Sequence, residues 1–270
     1  MKTKTYGRCI LCANHTFLTR EHIFADWIGE IIPSTCNSTL SELIRPGDYK
    51  YSFRDIKPSE RTLDILCDKC NNEWGGRLQR KASECLKPFL LGNKLVLNER
   101  DCRVIARWIT CFTMVREFLH PELMIIPRLV RKSFRDKSDL PPKGFAVWIG
   151  RFNGPSRADY SSWHRTLNFL LTAKPTKAPN TTLMKFVVGK AVFFVMYTSV
   201  LELQEWDNAH HYAILKYLNS LGMQRIFNNT KTLDFTSSHI VDAHCYKNLM
   251  EQVSKHLGDP LPIITGVTNA

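Results

Sequence analysis

At 270 residues, with 44% hydrophobic and 11% aromatic side chains, the chain can bury a real core, which excludes a disordered tail or a low-complexity linker. The length exceeds the ~100–200 residues of a usual domain and fits one large domain or two modest ones. Lys and Arg total 37 against 25 Asp and Glu, a formal charge of +12; that surplus favours a polyanionic partner, because each phosphate neutralised releases condensed counterions. On charge alone, anionic membranes and simple solubility compete with nucleic acid.

The N-terminal string MKTKTYGRC is basic but has no apolar stretch behind it, so no signal peptide is expected. No run of eighteen apolar residues offers a membrane span, and no membrane partner is expected. Nine cysteines are present, four of them in two Cys-x-x-Cys pairs, Cys9/Cys12 and Cys67/Cys70. In a chain without an export signal such pairs point to metal rather than disulfides, hence to a reduced, cytoplasmic protein.

In chain order, residues 1–82 hold both pairs, few long apolar runs and several turn signals. That pattern predicts a small domain organised by a metal. From Ala82 to Leu119 the apolar residues recur at helical spacing (Val104, Trp108, Cys111, Val115, Phe118), with Asn98 or Asp101 as a cap and Pro121 beyond the end. Residues 83–130 are therefore read as a helical connector. Residues 131–143 (RKSFRDKSDLPPK) are polar and Pro-rich and predict a linker. Strands are expected at Gly144–Phe152 and Leu167–Ala173, and a hairpin at Leu183–Thr198 turning at Val188-Gly189-Lys190. Helices are expected at Asn208–Leu221 and Ala243–Leu257. The fold class is α+β, with a C-terminal α+β domain over 144–270 whose role the sequence does not identify.

Cys-x-x-Cys sets two thiolates on one tight turn, and two such knuckles complete the tetrahedral four-thiolate shell of structural zinc. The other cysteines are scattered; Cys102 and Cys111 fall in the helical pattern and read as core. Beside the first pair stands Thr19-Arg20-Glu21-His22-Ile23-Phe24, and the second runs straight into Asn71-Asn72-Glu73-Trp74. In these strings the chain resembles the HNH endonucleases, in a zinc-stapled branch found in bacteria and phages. The resemblance covers residues 6 to about 82.

It implies a β-hairpin followed by a helix, the ββα-metal fold, with one catalytic ion between them. His22 is then the general base that deprotonates the attacking water. Glu21 takes the place of the acidic metal ligand, and Asn71, at the start of the helix, is the second ligand. Phosphodiester hydrolysis needs an activated water and a cation to offset charge on the leaving oxygen; a neutral histidine suits the first task, and a hard ion such as Mg2+ or Mn2+ the second. The zinc on Cys9, Cys12, Cys67 and Cys70 would be separate and structural.

Two positions depart from the family pattern. Its middle asparagine, which buttresses the histidine-bearing loop, falls here on Thr62. Residues 30–57 exceed what a minimal module needs and read as an insertion, either a DNA-contacting loop or plain surface. Arg77, Arg80 and Lys81 could follow a phosphate backbone, as could the Arg128–Lys137 cluster, with a solvated face as the competing reading for each. Trp27 and Trp74 read as core, and Gly75-Gly76 as a close approach.

The resulting expectation is a metal-dependent endonuclease acting on DNA sooner than RNA. A zinc-organised nucleic-acid-binding protein with a degenerate site is the alternative. A protein or ligand regulator of the C-terminal domain is a third element left open.

Overall fold

The computed structural model describes residues 5–31, 38–42, 51–56, 62–119, 121, 124–137, 139–154, 160–167, 179–200, 209–226 and 232–256. They form a mixed α+β fold built around one large sheet. The N-terminal part has β1 (Tyr6–Arg8), β2 (His15–His22), the short helix α1 (Asp26–Ile31) and β5 (Thr62–Cys67), followed by a π-helical turn over Lys69–Gly75 that runs into α2 (Gly76–Leu90). Strands β1, β2 and β5 make a small antiparallel sheet in that order.

Between α1 and β5 the chain forms β3 (Ser38–Glu42) and β4 (Tyr51–Ile56). These do not form a free loop. β3 pairs in parallel with β8 (Tyr160–Leu167), matching Thr39 to Ser161 and Glu42 to His164. The stretch read as an insertion thus supplies two strands to the large sheet, a pairing its polar sequence gives no local signal for.

The helical region breaks in two where Gly92 takes a φ of +79°. After β6 (Val96–Leu97), α3 (Glu99–Arg116) starts from Asn98. Asn98 Oδ1 accepts from the Asp101 amide at 2.9 Å, and Asp101 answers from its side chain, a reciprocal capping box. Residues 131–143 are not a linker over most of their length: α4 (Arg128–Lys137) occupies the first part. Its polar sequence hides two inward positions three apart, Arg131 and Phe134, both buried.

The sheet continues with β7 (Phe145–Asn153), β9 (Thr181–Val188) and β10 (Ala191–Thr198), the last two forming the expected hairpin. Of the strand expected at Leu167–Ala173, Leu167 closes β8 and the rest lies, within 168–178, outside the described residues. Helix α5 (Ala209–Ser220) precedes β11 (Gln224–Arg225), β12 (Leu233–Asp234), β13 (Ile240–Asp242) and α6 (Ala243–His256). The strand order is β11-β7-β10-β9-β8-β3-β4, with β13 parallel to β7 and β12 paired with β6.

Both faces of the central strands are covered, so β10 (AVFFVMYT) and the first half of β7 (FAVWI) read as near-continuous apolar runs. On β10, Phe193, Val195 and Tyr197 face one core while Val192, Phe194 and Met196 face the other. The second core is closed by Ile214 and Leu218 of α5 and Leu249 and Val253 of α6. The first is closed by α3, where Trp108 and Phe112 pack on Phe186. On its other side α3 receives Trp27 and Phe24 from the region of the first cysteine pair. Gln79 of α2 locks this junction, accepting from Trp27 Nε1 at 3.0 Å and Trp108 Nε1 at 2.7 Å. The small sheet, α2, α3 and one face of the large sheet therefore share a continuous core. Among the described residues, no helix is long and apolar enough to cross a membrane.

Candidate metal centre and active site

Cys9 and Cys12 lie in the turn between β1 and β2. The turn is closed by the Cys9 amide donating to the Asn14 carbonyl and the Ala13 amide to the Cys9 carbonyl, with Ala13 at a φ of 65°. Ile10 N–H donates to the Ile65 carbonyl, tying this knuckle to β5, whose last residue is Cys67. Cys70 follows in the π-helical turn, one of the irregular turns that recur at functional sites. The four Sγ atoms all lie within 4.8 Å of one another, with Cys12 and Cys67 at 3.6 Å, and none is in a disulfide. A tetrahedral zinc with Zn–S bonds of ~2.3 Å sets its sulfurs ~3.8 Å apart. The four cysteines fit such an ion and could hold it.

The crowding is visible in their ionisation. A hydrogen bond from Cys70 pulls the Cys9 thiol down, and the same bond, with burial, pushes Cys70 up. A cation among them would relieve that conflict, since metal-bound thiols are thiolates. Two neighbours hold the Cys70 turn. A Cβ on Gly75 would lie 2.8 Å from the Cys70 carbonyl oxygen, so the close approach there is a packing requirement. Helix α4 sets Phe134 edge-on to Trp74 and brings Arg135 to the Cys70 sulfur. Burial works against the Arg135 charge, but that sulfur and the Asp136 carboxylate together more than offset it and raise its pKa.

The four site residues named from the sequence gather at one end of the β2–β5 ladder. His22 stands directly across from Thr62, and Glu21 across from Leu63. The register shifts between Thr19 and Arg20, which pair with Leu66 and Asp64, so β5 carries one extra residue there, Ile65, as a bulge opposite these two. Asn71 docks at that bulge: its Nδ2 donates to Thr19 Oγ1 at 3.0 Å and to the Arg20 carbonyl at 2.8 Å. Thr19 Oγ1 in turn donates to the Leu66 carbonyl.

Glu21 and His22 are neighbours on a strand, so their side chains start toward opposite faces. Asp26, the first residue of α1, stands close to both. Its Oδ1 is 3.2 Å from His22 Nε2, and its charge reaches Glu21. Burial first, and Asp26 second, push the Glu21 carboxyl up to about 8. Glu21 also lies near the buried thiol of Cys111 on α3. Sequence reasoning misses Asp26; the available signal is an acid four residues beyond His22 at a helix start. Among the described residues, only the four cysteines bring three or more His, Cys, Asp or Glu donors within 4.8 Å of one another.

Of the predicted backbone-following cations, Arg77 and Lys81 line a groove between α2 and α3, whereas Arg80 is exposed outside it. The α4 cluster is largely spoken for. Arg131 is buried in an ion pair with Glu117, and Lys132 and Arg135 both meet Asp136. Comparison with protein-family models, with curated proteins and with solved structures found no match.

Proposed function

We propose that residues 1–82 form an HNH-type, metal-dependent endonuclease site that hydrolyses phosphodiester bonds, in DNA before RNA. The carrying observation is that Glu21, His22 and Asn71 all lie at one end of the β2–β5 ladder, beside a four-cysteine cluster that can pin strand and helix together. His22 is the general base, taking a proton from the attacking water through its imidazole. Asp26, 3.2 Å from Nε2, orients the ring and stabilises its protonated form. Glu21 and the Oδ1 of Asn71 would hold Mg2+ or Mn2+. When bound, that ion supplies Lewis-acid stabilisation of charge on the leaving oxygen. Zinc on Cys9, Cys12, Cys67 and Cys70 is structural in this reading.

Two observations favour a second reading, a nucleic-acid-binding protein whose site no longer cuts. Threonine stands across from His22, where the family pattern has a buttressing asparagine, and Glu21 is held protonated near neutral pH when no cation is beside it. Supercoiled plasmid incubated with the protein and Mg2+ or Mn2+ separates the two. Conversion by the wild type, absent in EDTA and in His22→Ala, supports the nuclease. Binding without cutting by both proteins supports the second reading, and degradation of RNA alone overturns the DNA assignment.

A further inference from the structure

A groove of about 760 Å³ runs between α2 and the start of α3, on the side where Trp74 meets α4. Arg77 and Lys81 enter it from α2, and Arg100, Arg103 and Arg107 from α3. The spacings, i and i+4 on one helix and i, i+3 and i+7 on the other, place each set on a single face. Like charges on one helix face repel, and here two such faces are turned toward each other. Two acids answer them in part: Glu99 pairs with Arg103, and Asp139 lies 3.4 Å from Arg107. Arg77, Lys81 and Arg100 have no acidic partner within 4.0 Å among the described residues. Packing gives no reason for this convergence, because these three side chains are exposed.

The floor is different in character. Trp74 is half-buried, and the Arg107 guanidinium lies 6.0 Å from its ring centroid, with Leu78 and Val104 beside it. Arg100 and Arg107 start about 10 Å apart along α3 by helical rise. One phosphate cannot engage cations spread over that length, but a run of them can. We propose that the groove is a binding site for the phosphodiester backbone of a nucleic-acid strand, with successive phosphates on Arg77, Lys81 and Arg100. It shares with the proposed function the premise of a nucleic-acid partner, yet α3 lies outside the HNH-like residues and no step at His22 is involved.

The test uses the full zinc-loaded chain carrying His22→Ala, so that binding is read without cutting. Fluorescence anisotropy with a labelled 20-nucleotide strand, as DNA and as RNA, is measured from low to moderate salt. Two triple variants are compared: Arg77→Ala/Lys81→Ala/Arg100→Ala in the groove, and Lys143→Ala/Lys216→Ala/Lys247→Ala at exposed positions elsewhere. The groove variant is expected to weaken binding at least tenfold and to flatten the dependence of log K on log salt by about 0.7 for each single-strand phosphate no longer neutralised. The control variant is expected to stay within threefold. An equal weakening in both variants would mean bulk charge alone and overturn the proposal. So would a groove-specific weakening seen with tripolyphosphate but not with the strands, since the ligand would then be a free polyphosphate. Because His22 is already removed, a protein that never cuts can still pass this test.

Discussion

The side-chain amide of Asn71 spans from the turn after Cys70 back to the carbonyl of Arg20, 2.8 Å away on β2. A carbonyl only accepts, so Nδ2 faces the strand and Oδ1 is turned away from it. Asn71→Ala should lower the cleavage rate at least a hundredfold and destabilise the fold by about 1–2 kcal/mol through removal of the two hydrogen bonds. Asn71→Asp keeps an oxygen for a metal but sets a carboxylate against the Arg20 carbonyl. It should therefore lose as much stability as the alanine variant in urea unfolding. Equal stability of Asn71→Asp and wild type would show that the docking bond contributes nothing.

Glu21 is raised to about 8 by burial and by Asp26, so a divalent cation must displace a proton from it below that pH. Mg2+-dependent activity should rise with pH through about 8. Asp26→Asn removes the repulsive charge and should move that rise to lower pH, while costing some rate because His22 is left without its carboxylate. In Mg2+-free buffer the sign for stability is the reverse. The folded carboxyl holds its proton more tightly than the unfolded one, so its contribution is full below the ordinary 4.5 and is lost as pH rises through about 8. Thermal melts across that window, with Glu21→Gln as the flat reference, measure it.

Gly75 and Gly76 are adjacent yet should respond oppositely to alanine. At Gly75 the new methyl meets the Cys70 carbonyl at 2.8 Å, a backbone atom that cannot move aside. At Gly76 it meets the tip of the Arg80 side chain at 3.7 Å and the Asn71 carbonyl oxygen at 3.9 Å, both ordinary contact distances. Gly75→Ala should cost about 1–3 kcal/mol by overpacking and lower the zinc stoichiometry. Gly76→Ala should be neutral or stabilising by up to about 1 kcal/mol, the helix-propensity gain. Elemental analysis beside denaturant unfolding reads both.

Lys185, far along the chain in β9, is buried and donates from Nζ to the Tyr246 and Lys247 carbonyls of α6, with the Tyr246 ring 4.3 Å from the ammonium. Burial pulls its pKa from the ordinary 10.5 down to about 7. A lysine depressed in this way contributes most above 10.5, and that contribution is lost as pH falls through about 7. Stability should therefore climb between pH 7 and 10.5, and Lys185→Met should remove that slope. A wild-type slope that persists in the methionine variant would assign the effect elsewhere.

Much of this fold is legible from local signals. The Asn98 cap, the turn at Gly189-Lys190 and the stop at Gly222 can be read because each depends on a few neighbouring residues. The cysteine cluster can be read for the same reason, since spacing alone makes a knuckle. What escapes is tertiary burial. Helix α4 reads as a linker because its inward positions include an arginine, which the buried Glu117 and the Met114 and Ile126 carbonyls make tolerable. Asp26 is missed because no local pattern ties it to Glu21; only the fold of α1 back on the strand end brings the two carboxyls near each other.

The excursion of β3 and β4 into the large sheet has a kinetic consequence. The two cysteine pairs can meet as soon as residue 70 has been made, and a metal ion would hold them closed. The strands looped out between them have no parallel neighbour until β8 exists, after Leu167. Parallel pairing across such a separation forms late, because its loop must be ordered before any pairing rewards it. A fragment ending before β8 should therefore carry a closed metal knuckle with β3 and β4 as an unsealed edge, prone to self-association. The four-cysteine end of this chain should not cut away cleanly from the rest.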